Sequence, residues 1–340
     1  MSKSTLVLDS IAMLPNQLLD GLKTKLDMPK NYKNIDRVVI SGMGGSNLAA
    51  RIINSTLAND LKVPILINNS YEVPAYVDRN TLFIASSYSG NTEETISAYC
   101  EAKKNKAKII VLTADNKSKL AKLALKDKYP IIVFSTEFNP SQQPRFGLGY
   151  SLITMLMILQ KAGVIKSKDR EIRNAVKRME IWNSKLTPNK SNNQASKIAS
   201  RIFSHNIMLI TGEFLEGSAH TFRNQLNENS KNFACYLTLP ELNHYAMEGL
   251  AKPKDTNLIC LCFESSLYSP NVQKRMKLTN KVINKNKIKV VKETLRGKNK
   301  LEQALEMLQL GAWVTYYLAE LNKVDPIKIP WVDWFKKELK

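Results

Sequence analysis

Apolar residues along this chain gather in short continuous runs, and amphipathic stretches of helix length separate them. Such runs occupy Arg37–Ser41 and residues 63–67, 82–86, 109–112 and 131–134. Between them, residues 93–104 and 117–126 show helical spacing of apolar positions. Strands buried on both faces read as unbroken apolar runs, and helical crossovers join them in parallel sheets. The pattern predicts a doubly wound α/β domain over residues 30–165. Residues 182–194 are polar, contain Pro188 and lack any period, so they read as a connection. A second alternation follows, with runs at 207–210, 235–237, 258–263 and 288–291, and a helical pattern over 301–321. It predicts a second α/β domain over residues 195–340. Two similar halves in one chain suggest an old duplication.

With 340 residues, 44% hydrophobic and 24% charged, the chain is long enough for two cores and too apolar for disorder. No apolar run reaches the length of a bilayer span; residues 152–159 come closest and read as a core helix. The first residues lack a charged start followed by a long apolar stretch, so the expected location is the cytoplasm, with no membrane partner. Cys100, Cys235, Cys260 and Cys262 have no metal-ligand spacing and read as reduced core thiols. With only three histidines (His205, His220 and His244) and no His/Cys/carboxylate cluster, no metal and no cofactor are expected.

The formal net charge of +20 raises the question of nucleic acid. Residues 274–300 hold eleven Lys or Arg against a single acid, Glu293, but no aromatic residue and no nucleic-acid-binding motif. Lysine and asparagine are abundant throughout, so the segment reads as solvated surface and no nucleic-acid partner is expected. A basic surface equally attracts phosphate esters.

In open α/β sheets, ligands bind beyond the carboxyl ends of the strands. Two loops fall there. Ser41-Gly42-Met43-Gly44-Gly45-Ser46-Asn47 follows the first run, and its glycines let backbone approach a ligand closely. It lacks the third glycine of a dinucleotide fingerprint, and Asn68-Asn69 stand where a ribose-binding acid belongs. The second loop, Ser86 to Thr95, places Ser87, Ser89 and Thr92 within six residues beside Gly90. Hydroxyls and helix-start amides can hold a phosphate monoester without lysine or metal. An ordinary helix cap at Thr92, with Glu93 and Glu94 favouring the dipole, is the simpler alternative. A cap needs one hydroxyl, and three exceed it.

Together, Gly42-Met43-Gly44-Gly45-Ser46 and Ser87-Tyr88-Ser89-Gly90-Asn91-Thr92 resemble the sugar isomerase (SIS) domain. Pro144-Arg145-Phe146-Gly147, Asn224 to Lys231 and Leu239-Pro240-Glu241-Leu242-Asn243-His244 narrow the resemblance to the bifunctional phosphoglucose/phosphomannose isomerases. It runs from about Tyr32 to the C-terminus. It implies two SIS-type domains and interconversion of glucose 6-phosphate, and of mannose 6-phosphate, with fructose 6-phosphate through a cis-enediolate. It also implies a homodimer with a shared active site. The implied roles are Glu228 as the base, His244 for ring opening in the neighbouring subunit, and Arg145 for stabilising the enediolate. Lys336, or the adjacent Lys337, would assist ring opening. Gly45, Ser46, Ser87, Ser89 and Thr92 would hold the phosphate. Helical spacing would set Asn224 and Lys231 beside Glu228. His220 has no match and reads as structural. Ile329 departs from the small hydroxylated residue of dual-specific relatives. A non-catalytic sugar-phosphate sensor and an isomerase of another sugar phosphate are the competing readings.

Overall fold

The computed structural model describes residues 3–190, 192–252 and 257–339. Met1 and Ser2 at the start, Ser191 of the polar connection and Lys340 at the close of the second predicted domain lie outside them. The elements run in chain order as α1 (Lys3–Ala12), α2 (Leu14–Gly21), β1 (Arg37–Ser41), α3 (Gly45–Thr56), β2 (Ile65–Asn68), β3 (Thr81–Ser86), α4 (Glu93–Lys104), β4 (Lys108–Thr113), α5 (Lys119–Lys126), β5 (Ile131–Val133), α6 (Leu148–Lys161) and α7 (Asp169–Leu186). They continue as α8 (Gln194–Ile202), β6 (Asn206–Gly212), α9 (Glu216–Glu228), β7 (Ala234–Leu239), α10 (Leu242–Gly249), β8 (Leu258–Glu264), α11 (Pro270–Lys285), β9 (Lys289–Thr294), α12 (Lys300–Leu321) and α13 (Pro330–Glu338). Short 3-10 turns occupy Pro144–Phe146 and Glu213–Leu215.

The chain forms two compact units. One is Met13–Val176; the other joins the residues up to Ala12 with those from Lys177 onward. The first unit holds a parallel sheet ordered β2-β1-β3-β4-β5. All six residues of β3 are buried, which is why it reads as a continuous apolar run rather than an alternating one. Val39, Phe83, Ala85, Ile109 and Val111 share a core cluster with Ala98, Tyr99 and Ala102 of α4 and Leu120 and Ala124 of α5. Val38, Ile40, Leu82, Ile84, Ile110 and Leu112 alternate with them and are equally buried, so both faces of the sheet are covered. At the edge of this unit, Asp127 accepts from the Tyr99 hydroxyl at 2.8 Å and pairs with Lys103 at 2.5 Å.

The second unit is also parallel, ordered β7-β6-β8-β9. Its sheet repeats the order of the first four strands, β6 standing for β1 and β8 for β3. The 22-residue α12 is buried along most of its length, with Trp313 donating to Asn183 at 2.8 Å.

Three local expectations change. Residues 182–186, read as connection, belong to α7, whose apolar positions outweigh the polar stretch beyond it. Cys260 and Cys262 are buried neighbours on one face of β8, but Cys100 and Cys235 are exposed thiols rather than core residues. The early segment carries α1 and α2, which no strand-and-crossover pattern signalled.

Candidate active site

In the first unit the two signature loops meet. The Ser46 hydroxyl accepts from the Tyr88 N–H at 2.9 Å, and the Ser46 carbonyl accepts from the Ser86 hydroxyl at 2.9 Å. These bonds fix the start of α3 beside the loop that leaves β3. Gly90 turns that loop with φ +61°, and a Cβ there would lie 2.0 Å from the Ser118 Oγ, so only glycine fits. Ser87 is buried and its hydroxyl lies 2.8 Å from the Thr92 hydroxyl. Ser89 is exposed, and its Oγ accepts from the Asn91 N–H at 3.3 Å.

Thr92 is the N-cap of α4 by position, yet its side chain makes no cap bond. Elsewhere the hydroxyl or amide at this position does cap: Ser118 accepts from the Ala121 N–H, Asn193 from Ser196 and Asn299 from Glu302. The α4 start is therefore left uncapped by Thr92, whose hydroxyl turns to Ser87 instead. Such a helix start, with two hydroxyls beside it, is suited to an anion.

The Pro144–Phe146 turn packs on the same place. A Cβ on Gly45 would lie 3.0 Å from Pro144 and 3.3 Å from the Arg145 N, so Gly45 lets the two segments touch. Arg145 is 4% exposed, donates to the Gln143 side chain at 3.1 Å and lies 5.4 Å from the Phe146 ring centroid. Tyr88 joins the assembly, its hydroxyl accepting from Asn139, whose amide also bonds the Gln143 carbonyl. Burial pushes the Tyr88 phenol above its ordinary range, so it stays protonated. Gln17, wholly buried on α2, donates to the Phe138 and Phe146 carbonyls at 2.9 and 2.8 Å and accepts from the Gly149 N–H at 3.1 Å. It holds the end of the Arg145 turn at Phe146 and ties it to the chain before and after the turn. Neither Gln17 nor Asn139 was signalled by a sequence motif.

In the second unit, Glu228 is the last residue of α9 and is half-buried. The next two residues are anchored: the Asn229 amide donates to Thr315 at 3.0 Å, and the Ser230 carbonyl accepts from Asn322 at 2.8 Å. Because α9 stops at Glu228, the expected helical relation to Lys231 does not form. Lys231 has φ +60°, and its ammonium donates to the Glu228, Asn229 and Asp325 carbonyls. The Asn224 side chain accepts from the Arg223 Nε at 2.8 Å. His220 bonds Arg223 at 2.9 Å and stacks edgewise on Tyr236.

His244, read as a loop residue, is exposed within α10. It lines a cleft of about 810 Å³ with Glu213, Ser269, Lys274 and Arg275. Lys336 and Lys337 both lie in the last turn of α13, a helix with no buried residue, and Ile329 is its N-cap residue. Among the described residues, no group of three or more His, Cys, Asp or Glu side chains is placed to hold a metal ion, and no helix is long and apolar enough to cross a membrane.

Residues 31–158 match the SIS domain family model. Residues 191–339 match that of the bacterial phospho-glucose isomerase C-terminal SIS domain. The chain is 33% identical over 342 residues to a bifunctional phosphoglucose/phosphomannose isomerase of Caldicellulosiruptor bescii, covering 97% of this chain and 98% of that one. The chain belongs to the bifunctional phosphoglucose/phosphomannose isomerase family. A relative of the same name from Thermoplasma volcanium is 33% identical over 94% of this chain and 97% of its own. The family's fold extends to distant proteins. The C-terminal domain of a glucosamine-fructose-6-phosphate aminotransferase from Francisella tularensis superposes with a TM-score of 0.69 at 14% identity, covering 95% of this chain and 96% of that one. Within the phosphoglucose/phosphomannose isomerase family, the Ser87–Thr92 loop and the Gly42–Ser46 loop fall inside the first matched segment, and Glu228, His244 and Lys336 inside the second.

Proposed function

We propose that this protein is an aldose–ketose isomerase that interconverts glucose 6-phosphate, and mannose 6-phosphate, with fructose 6-phosphate. The observation that carries the reading, in a chain of this family, is the Thr92 hydroxyl held against Ser87 at the start of α4 instead of capping it. Those hydroxyls, with Ser46, Ser89 and the Gly45 backbone, grip the phosphate. His244 exchanges the proton that opens the ring, a task suited to imidazole near neutral pH. It serves the neighbouring subunit of a homodimer, and Lys336 (or Lys337) assists. Glu228 takes the proton from C2 of the open aldose and returns it to C1 while the O2 proton passes to O1, since one carboxylate can serve as base and then acid. Negative charge grows on the two oxygens of the cis-enediolate, and Arg145, a fixed cation, offsets it. Glucose and mannose phosphates share that enediolate and differ in the face on which C2 is reprotonated. The steps need no cofactor, and the location fitting this reading is the cytoplasm.

A coupled assay with glucose 6-phosphate and mannose 6-phosphate tests this. We expect turnover that persists in EDTA, and a loss in Glu228→Gln of about 100- to 10,000-fold in kcat, the usual weight of general acid–base catalysis. Undiminished turnover in the variant would remove Glu228 as the base. A wild-type protein that binds sugar phosphates without turning them over would replace the enzyme reading with a sensor.

A further inference from the structure

Asn68 and Asn69 stand where a dinucleotide fold carries its ribose-binding acid, and neither has a part in the proposed reaction. The backbone around them gives Asn69 a task. Strand β1 lies between β2 and β3, and its even-numbered residues face β2: the Val38 N–H donates to the Pro64 carbonyl at 2.9 Å and the Gly42 N–H to the Asn68 carbonyl at 3.3 Å. The Gly42 carbonyl turns to the same side, just past the end of β2. There it accepts from the Asn69 Nδ2 at 2.7 Å and from the Asn47 Nδ2 at 3.1 Å.

The orientation of both amides is determined. Arginine only donates, so the 2.7 Å bond from Arg51 to the Asn69 Oδ1 fixes which end of the Asn69 amide faces Gly42. Asn47 is buried, and its Oδ1 has no hydrogen-bond partner among the described residues, so donation to Gly42 is what orients it. A planar trans peptide holds its N–H opposite its C=O. With the Gly42 carbonyl drawn toward β2, the Met43 N–H is turned toward β3, the strand that leads into Ser87 and Thr92. A Cβ on Gly42 would lie 2.8 Å from the Ser86 carbonyl oxygen, so the two signature loops converge at this peptide. Met43 is half-buried, and among the described residues its N–H meets no backbone acceptor. Turned over, the same peptide would show its carbonyl oxygen to that space, repelling an anion where the N–H attracts one. Glycine at position 42 makes such a reversal easy, and the two amides oppose it.

We propose that Asn69 is a positioning residue for substrate binding. With Asn47, it locks the Gly42–Met43 peptide so that the Met43 N–H donates to the phosphate of the sugar substrate. Arg51 acts one step further back, by orienting the Asn69 amide. The inference rests on reading the Gly42–Ser46 and Ser87–Thr92 loops as the phosphate site, and the variants below separate the two claims.

Initial rates with glucose 6-phosphate, and competitive inhibition by inorganic phosphate, are measured on the full chain. Asn69→Ala removes the donor; Asn69→Asp keeps the size and the Arg51 contact but sets an oxygen against the Gly42 carbonyl. KM and the phosphate inhibition constant should rise together, by about 3-fold in Asn69→Ala and about 10-fold or more in Asn69→Asp, with kcat within about 2-fold of wild type. Melting temperatures should rank the other way, because Asn69→Ala also loses the Arg51 contact. The Asn69→Asp to wild-type ratio should persist as salt rises from about 0.1 to about 0.5 M, since screening weakens a distant charge but not a turned peptide. Unchanged KM and phosphate inhibition in both variants would overturn the inference, as would a rise that follows the melting temperature or vanishes in salt. Ser87→Ala with Thr92→Val tests the underlying reading. If phosphate inhibition is untouched there, the phosphate site lies elsewhere and both claims fall; if it weakens there but not in the Asn69 variants, the claim about Asn69 falls alone.

Discussion

The Thr92 hydroxyl lies 2.8 Å from the Ser87 Oγ and makes no bond to the helix it begins. A residue type favoured for capping is thus diverted from capping, and the two roles can be separated by substitution. Thr92→Val should raise KM for glucose 6-phosphate by about 10- to 100-fold, the weight of a hydrogen bond to a charged group at about 1.5–3 kcal/mol. No cap is lost, so stability should fall only by the cost of breaking the Ser87–Thr92 hydroxyl pair, about 1 kcal/mol. Ser118→Ala, which does remove a cap, should cost about 1 kcal/mol. Parallel melting curves and initial-rate measurements distinguish the two; a Thr92→Val protein with wild-type KM would show that the hydroxyl does not touch phosphate.

Gln17 should matter for catalysis although it lies on a helix outside every motif. Gln17→Ala leaves the Phe138 and Phe146 carbonyls and the Gly149 N–H without their buried partner. Stranded groups of this kind cost about 1–3 kcal/mol each. Amide exchange at Gly149 should therefore quicken by at least about 10-fold, since 1.4 kcal/mol corresponds to that factor. The Arg145 turn should loosen with it, lowering kcat more than it raises KM. Unchanged exchange at Gly149 would show that the turn holds without this clamp.

Ile329 bears on the choice of epimer. It is a bulky N-cap residue of α13, at a position where the family resemblance implies a small hydroxylated side chain. Ile329→Thr should raise kcat/KM for mannose 6-phosphate relative to glucose 6-phosphate, by about 10-fold if one or two methylene-sized contacts are relieved. The ratio measured in one coupled assay decides it; an unaltered ratio would place Ile329 away from sugar C2.

Asp127 supplies a pH signature in the first unit. The Lys103 ammonium, and after it the Tyr99 hydroxyl, hold its carboxyl below the ordinary value of 3.8. A depressed folded-state pKa contributes stability above the unfolded value and loses it as pH falls through the folded one. At the other end, the bond to Asp127 raises the Lys103 ammonium above 10.5, a contribution present below that value and lost as pH climbs past the raised one. Asp127→Asn should therefore be less stable than wild type between these limits. The gap should close below pH 3.8, as denaturant titrations at pH 7 and pH 3 would reveal.

Both sheets were readable from the chain because their central strands are buried on two faces, which writes an unbroken apolar run into the sequence; β3 and β8 show this most plainly. The hydroxyl loop was readable because three hydroxyls exceed what a cap requires. Other features depend on distant partners. Nothing around Gln17 announces bonds to residues 121 to 132 positions away. The end of α9 at Glu228 follows from Asn229 and Ser230 being drawn to α12 and the residue just beyond it, so a helical period extended through Lys231 misplaced that lysine.

The Gln17 clamp has a practical bearing on how the protein can be taken apart. A fragment begun near residue 30, where the first apolar run invites a cut, discards the amide that holds the Arg145 turn. Such a piece could keep every strand of its sheet and every signature hydroxyl and still present a slack arginine, so a silent fragment would say little about the competence of the intact chain.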